Sequence, residues 1–116
     1  DLRFPELYRA LGVTALLVVP AAFTETTGKA HWEVLLRARA IENQAYVVGV
    51  NRCGKDPNVS YAGSSLILDP QGEILAHAGE QERMIRASLD IEELRAYRQR
   101  FPALQDRLGL EMPDLK

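Results

Sequence analysis

Cysteine is almost missing from this sequence: Cys53 is the only one among 116 residues. A single thiol excludes an internal disulfide and a cysteine-ligated metal cluster, and it leaves a reducing, cytosolic (cytoplasmic) setting as the default. Charge of one sign is scarce as well. The net charge is −2 with acidic and basic residues interspersed, so no basic stripe offers a nucleic-acid footprint. Long apolar runs are lacking, since the longest, Ala15 to Phe23, is far too short to span a bilayer and contains Pro20. No Gly-rich phosphate loop, no metal-spaced His/Cys/Asp set and no serine-elbow motif occurs. Internal repeats, low-complexity tracts and linker-like stretches are absent too, so the chain reads as one unit.

What is present is an α/β rhythm. Leu7, Tyr8 and Leu11 fall at helical spacing, with Pro5 suited to a first turn and Gly12 to a stop. VTALLVVP, residues 13–20, is Val-rich and almost wholly apolar, which predicts a strand buried on both faces. AAFTETTG follows at its carboxyl end, where open α/β sheets gather ligands. Thr26, Thr27 and Gly28 can start a helix over KAHWEVLLRARAIENQ. Trp32, Leu35, Leu36 and Ile41 make its apolar face, with Glu33, Arg37 and Arg39 elsewhere on the wheel.

AYVVGVN predicts a second buried strand, and RCGKDPNVSYAG a polar loop. SSLILDPQGEILAHAG predicts a hairpin turning at Asp69-Pro70-Gln71-Gly72, and MIRASLD alternates like a half-exposed strand. Asp90 is placed to cap a last helix over IEELRAYRQRF, which Pro102 ends, and residues from about 109 to 116 read as a tail. The resulting order, α-β-α-β-β-β-β-α, is a mixed sheet with helices on one face and the other face uncovered.

Few residues offer chemistry by themselves. Cys53 sits beside Arg52 and Lys55, but no His lies near it in sequence, so an inert loop thiol is the simpler reading. His31, next to Trp32, reads as a packing or capping residue, and His77 as solvent-facing. Glu42, beside Asn43 at the end of the long helix, reads as an ion-pair partner of Arg39 or Arg37 rather than as a base. Asp1, Arg3 and Glu6 cluster beside Phe4 and Pro5, which suggests a buried ion-pair network.

Taken together, DLRFPE, VVPAAF, TTGKAHWEVLLRARAIENQAYVVGVNR and SYAGSSLILDPQGEIL resemble the carbon–nitrogen hydrolase (nitrilase) superfamily, in the family's order. Within it the pattern is most similar to the ω-amidase and deaminated-glutathione-amidase branch. The resemblance implies a four-layer α-β-β-α sandwich with mixed sheets, of which residues 1–116 form the carboxyl-terminal part of a single domain. It implies a Cys nucleophile two positions ahead of Asp1, with the base Glu and the catalytic Lys further upstream. The isolated chain is then expected to be inactive and to expose an apolar sheet face.

The same resemblance makes Arg3 a candidate for substrate-carboxylate recognition and Ala21, Ala22 and Phe23 a pocket-lining loop. Asp1, Glu6 and Glu42 become scaffold near the site. Relatives that bind carboxylate with an Arg pair carry a second Arg where this chain has Leu2. The implied partners are a small amide substrate, the amino-terminal half and a second copy in a homodimer or higher homo-oligomer. No cofactor, nucleic acid or membrane is implied. A catalytically dead scaffold module is the competing expectation.

Overall fold

The computed structural model describes residues 1–107, so the expected tail lies outside the described residues. Pro5–Ala10 forms α1, with Pro5 in the first turn and Gly12 at positive φ just beyond the end. Leu16–Ala21 (β1) runs parallel to Tyr46–Asn51 (β2), pairing Leu17 with Val47 and Val19 with Gly49. Leu66–Leu68 (β3) pairs antiparallel with β2, and Ile74–His77 (β4) antiparallel with β3, giving the order β1-β2-β3-β4.

Between β1 and β2 the chain forms one helical rod, 25–43. It consists of Glu25–Thr27 (α2), a π-helical turn over Gly28–Trp32 and Glu33–Asn43 (α3). The rod starts earlier than Thr26-Thr27-Gly28, and Gln44 ends it in the left-handed conformation at φ 46°.

Trp32, Leu36 and Ala40 lie against Leu17, Val19, Val47, Leu66 and Leu68, all buried, with Leu2 and Tyr8 in the same cluster. This is the core, and it sits on one face of the sheet. Gly49 lets the rod approach, for a Cβ there would lie 2.5 Å from Leu36 Cδ1 and 2.9 Å from Trp32 Cζ2. On the opposite face Leu16, Val18 and Val50 remain exposed, as the uncovered sheet face required.

The hairpin turn follows its local chemistry. Asp69 Oδ1 accepts from the amides of Gln71 and Glu73, Gly72 takes φ 81°, and Arg37 Nε donates to the Gly72 carbonyl. Asp90 caps Ile91–Arg100 (α4) by accepting from the Glu93 amide. Arg98 on α4 then donates to the carbonyls of Gln44 and Thr14, tying the helix to the start of β2 and the approach to β1. A 3-10 turn, Ala103–Asp106, follows.

Several expectations need correction. The strand expected to be buried on both faces, Leu16–Ala21, is buried on one: Leu17 and Val19 are inside while Leu16 and Val18 are exposed. Residues 84–90 form no strand. Ile85, Ala87 and Leu89 are half-buried while Met84, Arg86 and Ser88 are exposed, so the alternation reports one-sided burial without a ladder partner among the described residues. Arg39 is not on an outer face but 4% exposed, because its guanidinium finds internal acceptors. Asp1, Arg3 and Glu6 form no buried ion-pair network. All three are exposed, and it is Leu2 between them that enters the core.

The Gly49 contact yields a test. Gly49→Ala forces Trp32 and Leu36 to shift, and overpacking of this kind costs about 1–3 kcal/mol. A denaturant titration showing an unchanged midpoint would mean that the rod is not seated on β2 as described.

Candidate functional site

The carboxyl end of β1 delivers Ala21, half-buried, and Ala22, exposed, to Phe23. Phe23 is fixed by the side chain of Asn51, the last residue of the neighbouring strand. The Phe23 amide donates to Asn51 Oδ1 at 2.7 Å, while Asn51 Nδ2 donates to the carbonyls of Phe23 at 3.3 Å and Gly63 at 2.9 Å. The Ala62 amide also donates to the Phe23 carbonyl, and the Arg52 amide to that of Ala21. Asn51 is 6% exposed, and its side-chain oxygen and both of its N–H donors find partners away from water.

Over this loop lies a stack of rings and charge. The Phe23 and Trp32 rings are 5.1 Å apart, and Trp32 Nε1 donates to the Ser64 carbonyl at 2.8 Å. The Arg3 guanidinium sits 5.2 Å from the Phe23 ring centroid. Arg3 Nη1 also lies 3.3 Å from His31 Nδ1, on the π-helical turn. Arg3 and Phe23 are therefore together, as residues of one site must be.

Behind them stands a second fixture. Arg39 donates to the Leu2 carbonyl through both Nε (3.0 Å) and Nη2 (2.7 Å) and to Glu42 Oε1 through Nη1 (2.9 Å). Its guanidinium lies 5.7 Å from the Tyr8 ring centroid. Glu42 is thus an ion-pair partner of Arg39, as its position suggested. Burial pushes the Tyr8 hydroxyl up, partly opposed by the Arg39 charge. Because Leu2 is buried in the core, position 2 presents no side chain to an anion.

The loop after β2 braces the far side. Asp56 accepts from the amides of Asn58 and Val59 and from the Tyr61 hydroxyl, and Arg52 lies 4.1 Å over the Tyr61 ring. Tyr61 in turn bridges to Thr24, beside Phe23. The Asn58 amide, then Tyr61 and Val59, hold the Asp56 carboxyl below its ordinary value, and donation to Asp56 raises the Tyr61 hydroxyl.

Other candidates lie apart. Cys53 is free and lines a cleft of about 180 Å³ with Asn51, Gly63, Ser64 and Arg83, a lining that includes neither Arg3 nor Phe23. His77 approaches Glu33 at 3.9 Å on the rod. Among the described residues no three His, Cys, Asp or Glu side chains converge on a possible metal site, and no helix is long and apolar enough to cross a membrane. Sequence reasoning missed His31, Asn51 and Arg39 as parts of the site.

Residues 1–99 match the family Carbon-nitrogen hydrolase. The chain belongs to the carbon–nitrogen hydrolase family. It is 49% identical over 109 residues to the 2-oxoglutaramate amidase of Paenarthrobacter nicotinovorans, covering 92% of this chain and 37% of that protein. It is 44% identical to the human deaminated glutathione amidase, covering 99% of this chain and 35% of that one. The chain thus spans little more than a third of these curated relatives. The C. elegans NitFhit protein superposes with a TM-score of 0.86 at 43% identity, over 92% of this chain and 27% of that one. A CN-hydrolase superfamily protein from Xanthomonas campestris gives 0.89 at 34%, over 97% and 46%. The sheet with its helical cover is an α-β portion of the four-layer α-β-β-α sandwich of this hydrolase family.

Two outcomes test the site. Asn51→Ala leaves the Phe23 amide and the Gly63 carbonyl without partners, at about 1–3 kcal/mol for each, and the unfolding midpoint should drop by a matching amount. For Asp56, the folded carboxyl titrates below its unfolded value. Its contribution is present above the ordinary carboxylate pKa of about 3.9 and fades as pH falls through the lower folded value. The protection factors of the Asn58 and Val59 amides should fall as pH drops through that folded value, and Asp56→Ala, which removes the acceptor, should show low protection already at neutral pH.

Proposed function

We propose that residues 1–116 form the carboxyl-terminal part of one carbon–nitrogen hydrolase domain, and that the full-length protein is a thiol amidohydrolase acting on small carboxylate-bearing ω-amides. The observation that carries this reading is the match to amidase-named relatives at 44–49% identity over nearly the whole chain. The reactive sulfur, in this reading, belongs to a Cys two positions ahead of Asp1, with its base Glu and oxyanion Lys further upstream. The thiolate adds to the amide carbonyl, and the tetrahedral oxyanion collapses as ammonia leaves with a proton from the carboxyl group. Water, deprotonated by the same carboxylate, then cleaves the thioester and returns the acid and the thiolate. The isolated chain has none of these three groups and hydrolyses nothing.

This chain supplies the wall of the pocket. Arg3 holds the substrate carboxylate at the far end from the amide, and Ala21, Ala22 and Phe23 line the adjoining side. Arg39 and Glu42 hold the backbone from which Arg3 projects, through the Leu2 carbonyl. Asp1 and Glu6 are exposed scaffold beside it. A homodimer would use the outer face of the rod, where Val34 and Ile41 are exposed. The cytoplasm suits a thiol nucleophile.

The full-length protein should release ammonia from 2-oxoglutaramate or succinamate and lose that activity on Cys→Ala at the expected nucleophile. Arg3→Ala should raise KM for these substrates about 10- to 100-fold, the loss of one charged hydrogen-bonding partner. An absence of ammonia across a panel of amides and nitriles would refute the proposal.

A further inference from the structure

Arg3 differs from the other arginines near it in what it touches. Arg39 meets a carboxylate and a carbonyl, and Arg37 meets a carbonyl. Arg3 has neither kind of partner among the described residues; its contacts are the face of Phe23 and Nδ1 of His31. A guanidinium cannot accept a hydrogen bond, so at 3.3 Å His31 must accept through Nδ1. That requires the neutral imidazole with its proton on Nε2.

The acceptor is brought there by a local departure from the α-helix. Gly28–Trp32 is π-helical, a wider turn that occurs mostly in single copies and often at functional sites. Trp32 is 1% exposed and anchored to Ser64, while His31, its neighbour, stays exposed at the edge facing Arg3. The anchored indole fixes the turn, and the turn fixes the imidazole. Lys29 on the same rod pairs with Glu25 at 2.8 Å, and Glu33 approaches His77 at 3.9 Å.

We propose that His31 is a positioning residue for substrate selection, holding the Arg3 guanidinium against Phe23 so that its remaining N–H groups face the carboxylate of the substrate. The proposal rests on the carboxylate role given to Arg3 above. Two points hold the guanidinium, a ring face and one nitrogen lone pair, and neither neutralises its charge. An acidic partner would orient it equally well but would compete with an anionic ligand. The imidazole orients without competing, which is why a base in its neutral form suits this place. His31 itself touches no reacting atom in this scheme, so its loss should affect selection of the acid and leave the chemistry at the amide alone.

The test uses the full-length protein with His31→Phe, His31→Asn and Arg3→Ala, each assayed on succinamate and on its uncharged counterpart butyramide, taken as KM or as Ki. His31→Phe should raise the succinamate KM about tenfold, the size of one hydrogen bond to a charged group. The kcat, the butyramide constant and the thermal midpoint should stay put. His31→Asn, whose Oδ1 can accept where Nδ1 did, should recover most of the loss. If Arg3→Ala raises the succinamate KM while His31→Phe does not, the carboxylate role stands and the positioning role is overturned. If Arg3→Ala has no effect, the carboxylate role fails and the proposal falls with it. Equal losses on both substrates, a lowered thermal midpoint or no rescue by Asn would mark His31 as merely structural and overturn the proposal as well.

Discussion

The amide side chain of Asn51 is the constraint on which the described site depends. It occupies the last position of β2 and bonds both the N–H and the C=O of Phe23, as a neighbouring strand would, while its second donor proton takes the Gly63 carbonyl. Three segments distant in sequence thereby meet at one buried group. β1 cannot continue its ladder past Ala21, so this side chain takes over the pairing where the backbone turns away. Buried polar groups of this kind are costly unless fully satisfied, and here both ends of the amide are. The position of Phe23 follows from it, and with Phe23 the ring on which Arg3 rests.

Two further contacts set the layer behind that loop. Trp32 is held by its indole N–H to Ser64 and by its ring to Phe23, so the rod is fixed both along its axis and in rotation. Gly49 allows the rod to come close enough for these contacts. Arg39 then carries the same rod to the start of the chain by gripping the Leu2 carbonyl with two nitrogens. A guanidinium buried to this degree needs compensation, and Glu42, the carbonyl and the Tyr8 face provide it. The rod is in this way the common reference for both walls of the site, Phe23 on one side and Arg3 on the other.

Much of the fold was legible because it is written in local chemistry. The Asp-Pro-Gln-Gly turn, the Asp90 cap and the Pro5 start each depend on residues within a few positions of one another. The apolar runs around Val18 and Val47 showed β-structure because their length and branching suit strands. What could not be read depends on distant partners. Residues 84–90 alternate as a strand does, but alternation says which side is buried and nothing about a pairing neighbour. Arg39 looked outward on a helical wheel because its acceptor, the Leu2 carbonyl, is 37 residues away. Asn51 resembled an ordinary strand end for the same reason. His31 was read as packing, since a wheel drawn with 3.6 residues per turn has no place for a π-helical turn.

The arginines differ in what they end on. Arg37, Arg39 and Arg98 each end on a backbone carbonyl or a carboxylate, and their hydrogen bonds join elements that would otherwise move apart. Desolvation by burial lowers the pKa of Arg98, even though its guanidinium donates to two carbonyls. Arg3 joins nothing. It is exposed, it rests on an aromatic face, and its one polar contact is to a neutral ring nitrogen. A cation needed only to hold the fold would gain more from an acid than from a ring. Arg3 is instead oriented yet left unneutralised, beside the loop that follows the carboxyl end of β1.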